Sequence, residues 1–278
     1  MKFLKSVFLA AITVIFFACN DNGNSGQNNS SGSSSNNSHH EGAIEYLGSG
    51  KPKYNLYEGE TTEEFDDASI DGWEYENGKF SFDISGSTYE LKQQTSDAES
   101  LMCANSDKGQ HMHVILDKKP YSAQYEPSFE YKISNGQHHM LVFLGKSYHE
   151  SIKNPKAHVA RLIEVEDGNI THDWNIPDPS LFYSRPKGTY VGEEAKKILI
   201  DFYPVNIKIG EDAKIKLQIN GEQYYLYEWK PYFVEGLPFG TNSIGIQLVD
   251  MNGMPVGTPI SSELREIELK RDPAAQIN

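Results

Sequence analysis

The sequence is poor in cysteine, in basic residues and in phosphate-binding or nucleophile motifs, and each shortage excludes a class of protein. Its two cysteines form no cysteine-pair zinc pattern. The chain has 25 basic and 39 acidic residues, a net charge of −14, and this excess of negative charge argues against a nucleic-acid partner. No glycine-rich phosphate loop, Walker lysine or nucleophile elbow is present, so the sequence predicts no catalytic residue and favours a non-enzymatic role.

Aromatic residues are plentiful, and they indicate a folded protein. The 13 Phe, 3 Trp and 16 Tyr can furnish hydrophobic cores, which argues against a wholly disordered chain. Beyond the N-terminal apolar run, no segment longer than ten residues has helical periodicity, whereas apolar residues alternate in many short segments. The sequence therefore predicts an all-β protein.

The N-terminus has the features of a secretory signal. Lys2 and Lys5 precede an apolar run from Val7 to Ala18, which is too short for a membrane-spanning helix of ~20 residues. The run ends at Phe16-Phe17-Ala18-Cys19, which resembles the lipobox of bacterial lipoproteins. This resemblance implies a signal peptide over residues 1–18, acylation of Cys19 and anchoring to a lipid bilayer of the bacterial envelope, on the periplasmic or cell-surface face of the outer membrane. An ordinary secreted protein cleaved nearby is the alternative.

A polar segment follows the predicted anchor. All but two of the residues from Asn20 to Ser38 are Asn, Ser or Gly, a composition typical of a flexible coil that cannot bury a core. We therefore expect a disordered N-terminal linker over residues 19–60. With Cys19 acylated, Cys103 is the remaining thiol, so an intramolecular disulfide is excluded.

The rest of the chain predicts two tandem immunoglobulin-like β-sandwich domains, over residues 61–170 and 171–272. Short segments with alternating or apolar residues recur at the spacing of such sandwiches. The predicted strands are 79–85, 89–93, 111–117, 129–133, 138–144, 157–165, 196–203, 214–219, 223–229, 242–249 and 264–270.

The two halves also resemble a diverged repeat. Val114–Asp117 corresponds to Leu217–Asn220. Gly136 corresponds to Gly240, and each of these glycines is followed by alternating apolar residues.

Histidines concentrate in the first of these modules. Six of the nine lie between residues 111 and 158, and the repeat carries lysine or asparagine at the equivalent positions, so the fold does not require imidazoles there. Alternation predicts that Met140, Val142 and Leu144 face the core while His111, His113 and His139 share an outer face. His149 follows closely and could supply a fourth ligand or part of a lid. These residues, His111, His113, His139 and His149, are the predicted metal ligands, for Zn²⁺ or Cu²⁺.

Two other interpretations of these histidines stay open. Imidazoles on an apolar outer face can pack against the second module, hydrogen-bonded and without metal. Alternatively, Gly109–His113 with Asp117, and Gly136–His139, partly resemble the two metal-binding motifs of cupins. That resemblance implies a cupin-like metal-dependent protein with inward-facing ligands.

A wider resemblance covers about residues 60–270. Segments 109–117, 136–153, 184–188 and 228–240 are similar to a Bacteroidota-type family of bacterial lipoproteins with tandem immunoglobulin-like modules. The resemblance implies an envelope lipoprotein that binds a protein or a small ligand of unknown identity. Separately, the aromatic residues Trp174, Tyr224, Tyr225, Tyr227 and Trp229 could form a carbohydrate- or protein-binding surface, and core packing explains most of them equally well.

Overall fold

The computed structural model describes residues 42–60 and 65–276. The predicted signal peptide, Cys19 and the tether up to residue 41 lie outside this part of the chain. Within the described residues, strands dominate, and the helical segments are the short helix α1 (Ala98–Leu101) and three 3₁₀ turns (Gly192–Ala195, Pro259–Ser261 and Pro273–Gln276). No helix in these ranges has both the length and the hydrophobicity needed to cross a membrane.

The first sandwich contains eight strands in two sheets. They are β3 (Ser69–Glu76), β4 (Lys79–Ser85), β5 (His111–Leu116), β6 (Ser122–Gln124), β7 (Ser128–Glu130), β8 (Gly136–Gly145), β9 (His158–Glu166) and β10 (Asn169–Trp174). One sheet has the order β3-β4-β7 and the other has the order β10-β9-β8-β5-β6. Alternate side chains of both sheets, including Phe80, Val114 and Val142, form the core between them.

The second sandwich contains the remaining strands. They are β1 (Ile44–Tyr46), β2 (Asn55–Glu58), β11 (Ser180–Arg185), β12 (Gly188–Val191), β13 (Lys197–Val205), β14 (Ala213–Ile219), β15 (Glu222–Leu226), β16 (Tyr232–Glu235), β17 (Gly240–Asp250) and β18 (Ser262–Lys270). Its sheets have the orders β11-β13-β16-β2 and β1-β15-β14-β17-β18-β12. Ile200, Leu217 and Ile246 lie in the core between these sheets.

Both sandwiches have the same strand order. The three-stranded sheet β3-β4-β7 corresponds to β11-β13-β16, and the neighbouring strands β6-β5-β8-β9 correspond to β15-β14-β17-β18. In each sandwich the first, second and fifth of these seven strands form one sheet and face the third, fourth, sixth and seventh, which is an immunoglobulin-like arrangement. The predicted all-β fold of two tandem immunoglobulin-like sandwiches is therefore confirmed. In this arrangement β5 is the counterpart of β14 and β8 of β17, as the internal repeat predicts.

Two boundaries and one strand differ from the sequence prediction. The predicted tether extends to residue 60, but β1 and β2 lie within it, because the apolar side chains of Ile44, Tyr46 and Leu56 pack against the second core. The predicted division at residue 170 falls inside β10, which pairs with β9 up to Trp174. Finally, residues 89–93 form no strand; Tyr89 is buried there, and its hydroxyl donates to the carbonyl of Gly145.

A third core joins the two sandwiches. The described residues, 42–60 and 65–276, belong to one compact unit. Ile115, Leu141 and Phe143 on the outer face of the five-stranded sheet pack against Phe182 and Tyr203 on the outer face of β11 and β13. The predicted outer face of the first module is therefore buried against the second, and the histidines of this face lie at the interface.

Candidate functional site

Strand β5 directs two histidines toward the interface. His111 and His113 are both fully buried, and the residue between them, Met112, lies in the core of the first sandwich. The alternation of side chains along a strand produces this separation, since residues two apart point to the same side. The histidine face predicted for this strand is thus observed, and it is covered by the second sandwich.

The loop between β8 and β9 supplies the third histidine. His149 Nδ1 lies 2.9 Å from His111 Nε2, and His113 Nε2 lies 2.8 Å from the same atom. One ring nitrogen from each of the three residues falls within 4.8 Å of the others, close enough to share one metal ion. His149 has φ 72°, a backbone conformation that favours glycine and is uncommon for other residues.

The hydrogen bonds of the His111 ring leave one nitrogen lone pair, on Nε2, which accepts from the N–H of a neighbouring imidazole. His111 Nδ1 lies 2.8 Å from the carbonyl oxygen of Gly109, which can only accept, so this nitrogen carries the proton of the neutral ring. His111 Nε2 then keeps a lone pair facing the other two imidazoles. His113 Nδ1 lies 3.4 Å from the hydroxyl of Ser184, in the second sandwich. Such outward hydrogen bonds orient the imidazoles of metal sites in the same way.

Two tyrosines lie against the histidines. The Tyr121 ring stacks on His113 with centroids 3.6 Å apart and planes 5° apart, and its hydroxyl lies 3.1 Å from His149 Nδ1. The Tyr125 ring lies 4.8 Å from that of His111, but its hydroxyl forms a 2.7 Å hydrogen bond with Ser106 Oγ. Only the Tyr121 hydroxyl is therefore directed at the three histidines.

Burial and positive charge keep the three imidazoles neutral. Burial lowers the pKa of His111 to about 4 and holds the pKa values of His113 and His149 well below the usual range. Arg185 and Lys187, from the second sandwich, add to each of these shifts. Burial likewise lowers the pKa of Lys187 to about 8. At neutral pH the three rings are thus in the uncharged form that ligates metals.

His139, the remaining predicted ligand, lies away from this cluster. It is on the predicted face of β8, but Phe143 is the β8 residue that pairs with His113, and His139 precedes Phe143 by four residues. At ~3.3 Å per residue this places it about 13 Å along the strand. Its amide donates to Asp117 Oδ1 (2.9 Å), at the opposite end of β5. The structure therefore does not bring His139 together with the other three predicted ligands.

The cupin-like alternative also fails on geometry. Cupin ligands face the inside of a barrel, whereas His111 and His113 point out of their sandwich. Asp117, the acid of the proposed motif, accepts from the His138 ring at 2.8 Å on the opposite face from His139. The strand order is immunoglobulin-like in both sandwiches.

The sequence patterns did not predict that residues of the second sandwich lie around the histidines. Ser184 and Arg185 end β11 and, with Lys187, approach the site from the second sandwich. Their role depends on how the two sandwiches pack, for which no local sequence pattern is a signal.

The predicted aromatic surface is dispersed in the structure. Tyr224 lies in the second core, and Trp229 packs against Tyr203 at the interface between the sandwiches. Trp174 is exposed on the edge strand β10, where it stacks on His172. These residues therefore do not form one binding surface.

Comparisons with known proteins return structural matches of low similarity. No protein-family model matches the chain, and no curated protein matches it significantly. Fibronectin(III)-like modules of CbhA from Clostridium thermocellum match at 14% identity and a TM-score of 0.26, over 33% of this chain and 98% of theirs. The central fibronectin-III array of RIM-binding protein matches at 10% identity and a TM-score of 0.25, over 74% and 68%. SGBP-B of the Bacteroides ovatus mixed-linkage glucan utilization locus, solved with a mixed-linkage heptasaccharide, matches at 9% identity and a TM-score of 0.20, over 84% and 71%.

Proposed function

We propose that this chain is an envelope-anchored binding protein whose ligand is a transition-metal ion, Zn²⁺ or Cu²⁺, held by His111, His113 and His149. The observation that supports it is the convergence of three neutral, buried imidazole nitrogens within 4.8 Å. Imidazole is a preferred ligand of both ions. If these histidines are only packing residues, the same burial is expected. A measurement of metal binding therefore distinguishes the packing interpretation from the metal-site interpretation.

The arrangement around the imidazoles supports a preorganised site. His111 and His113 are fixed on the rigid strand β5, and the Gly109 carbonyl orients the ring of His111. Only His149 is on a loop, and this loop is bound to the second sandwich through Asp201. Ligands held in place in this way lose little conformational freedom on binding.

Metal binding by the purified full chain is the direct test. We expect calorimetric titration with Zn²⁺ and with Cu²⁺ to give one site with a dissociation constant below about 1 μM. His149→Gln removes a half-buried ligand on a loop, so this variant keeps the fold and weakens binding by at least about 100-fold. His113→Gln does the same at a fully buried position.

His139→Gln is the matched control for His113→Gln, because it also replaces a histidine by glutamine on the outer face of the five-stranded sheet. It retains wild-type affinity. Absence of binding tighter than about micromolar in the wild-type chain, or equal weakening by His139→Gln and His149→Gln, contradicts the proposed site.

The envelope location is part of the proposal and rests on the lipobox-like sequence that ends at Cys19. Several acyl chains on Cys19 anchor the chain stably, since each buried CH₂ contributes about 0.8 kcal/mol. In a bacterial host, we expect the wild-type protein to partition into the detergent phase and Cys19→Ser to partition into the aqueous phase. Equal partitioning of the two proteins contradicts the anchor. An additional protein or small-molecule partner, and the exclusion of nucleic acid, stay predictions from the sequence.

A further inference from the structure

The site contains a fourth donor atom. Besides the three imidazole nitrogens, the Tyr121 hydroxyl oxygen lies 3.1 Å from His149 Nδ1. The aromatic ring is held between two groups: it stacks on His113 on one side, and Lys187 Nζ lies 3.6 Å from its centroid. The Lys187 ammonium also donates to the backbone carbonyl of Tyr121 at 2.7 Å. The oxygen is therefore fixed beside the histidines by its surroundings.

Neighbouring donors are spaced as in a tetragonal metal site, whereas the three imidazole nitrogens together extend over 4.8 Å. Opposite ligands of a metal with bonds of ~2.1 Å are about 4.2 Å apart, so these ligands approach each other by about 0.6 Å on binding. Successive donors, from His113 through His111 and His149 to Tyr121, are 2.8, 2.9 and 3.1 Å apart. For metal–ligand bonds of ~2.0–2.1 Å, two ligands lie about 2.9 Å apart at a right angle and about 3.3–3.4 Å apart at a tetrahedral angle. Right angles between nitrogen and oxygen ligands are typical of Cu²⁺, whereas Zn²⁺ prefers a tetrahedron.

The charges at the site point to an anionic ligand. The charged side chains that act on the three imidazoles are those of Arg185 and Lys187, and both are cationic. A divalent ion bound only by neutral imidazoles would add two further positive charges to this buried region, which is unfavourable at low dielectric. A phenolate oxygen at Tyr121 removes one of these charges. Burial raises the pKa of the Tyr121 hydroxyl, so the phenolate forms only against a bound metal ion. The Arg185 guanidinium, 5.3 Å from the Tyr121 ring, opposes this shift.

We infer that Tyr121 is the fourth protein ligand of the metal at His111, His113 and His149, bound as a phenolate to Cu²⁺. This inference rests on the proposed metal-binding function and names a further ligand of that site. On binding, the O–H bond of Tyr121 breaks, an O–Cu bond forms and the proton leaves to the solvent. No electron is transferred, so copper remains Cu²⁺.

The visible spectrum of the copper-loaded full chain tests this ligand. Phenolate bound to Cu²⁺ produces a charge-transfer band that imidazole ligands alone do not produce. We expect the wild-type chain to bind one Cu²⁺ and to develop this band in proportion to the bound copper. Tyr121→Phe keeps the ring that packs between His113 and Lys187, so it retains the fold and bound copper but loses the band.

Tyr125→Phe is the matched control, since it removes the hydroxyl of the neighbouring tyrosine that bonds to Ser106. It keeps both the copper and the band. Resonance Raman spectra of the wild-type protein, excited in the band, give tyrosinate modes without any substitution.

Copper bound without the band, or a band that persists in Tyr121→Phe, overturns the assignment of Tyr121 and leaves the three-histidine site in place. Failure of the wild-type chain to bind copper overturns the proposed function as well. Copper content, measured on the same samples, separates these two results.

Discussion

At the residue scale, Asp201 fixes the loop that carries His149. This carboxylate belongs to β13 of the second sandwich and is fully buried. It accepts hydrogen bonds from the Ser151 hydroxyl (2.9 Å) and amide (3.3 Å) and from the Lys153 ammonium (2.9 Å), both on the β8–β9 loop of the first sandwich. One side chain thus satisfies three donors of the other sandwich. Its removal would leave the Ser151 amide and hydroxyl without this acceptor, and the Lys153 ammonium without its anionic partner, in a low-dielectric region.

We therefore predict that Asp201→Ala lowers the free energy of unfolding by about 3–5 kcal/mol, the range for breaking a buried pair. Urea denaturation, followed by circular dichroism, measures this loss. Glu193→Ala is the comparison, since it removes a carboxylate of the exposed Lys196–Glu193 pair and changes stability little. Similar effects of the two substitutions would contradict the structural role of Asp201.

At the element scale, alternation explains which strands the sequence predicts. Lys79–Ser85 is predicted with its observed bounds, because one face of β4 packs on the core and the other is exposed. All six residues of β11 are buried, since its sheet lies between two cores: Leu181 belongs to one core and Phe182 to the other. A strand covered on both faces has no alternation to detect. The short edge strands β1 and β2 depend on partners that are distant in the sequence.

For the candidate site, too, sequence alternation predicts only part of the arrangement. Alternation correctly places His111, His113 and His139 on one face, but it carries no information about position along the strand. The register of β5 against β8 separates His139 from the other two. Tyr121 and Lys187 join the site only because the sandwiches pack face to face, and this packing has no local sequence signature.

At the scale of the whole molecule, the shared third core predicts that both sandwiches unfold together. Phe143 stacks on Tyr203 of the second sandwich, with ring centroids 5.6 Å apart, and is fully buried. Phe143→Ala should cost about 3–5 kcal/mol and shift one cooperative transition. Circular dichroism and tryptophan fluorescence would report the same midpoint. Phe239→Ala, at an exposed position, should leave that midpoint close to wild type. Two separate transitions in the wild-type chain would contradict this coupling.

The position of β1 at the edge of the second sandwich affects the order of folding. The hydroxyl of Tyr227 donates to Glu45, a residue 182 positions earlier in the chain. β1 and β2 are therefore synthesised first but find their partners last, after the whole first sandwich has been made. Contacts of such high sequence separation slow folding. Until they form, the edges of β15 and β16 remain unpaired, and the growing chain is open to β-strand addition by other molecules.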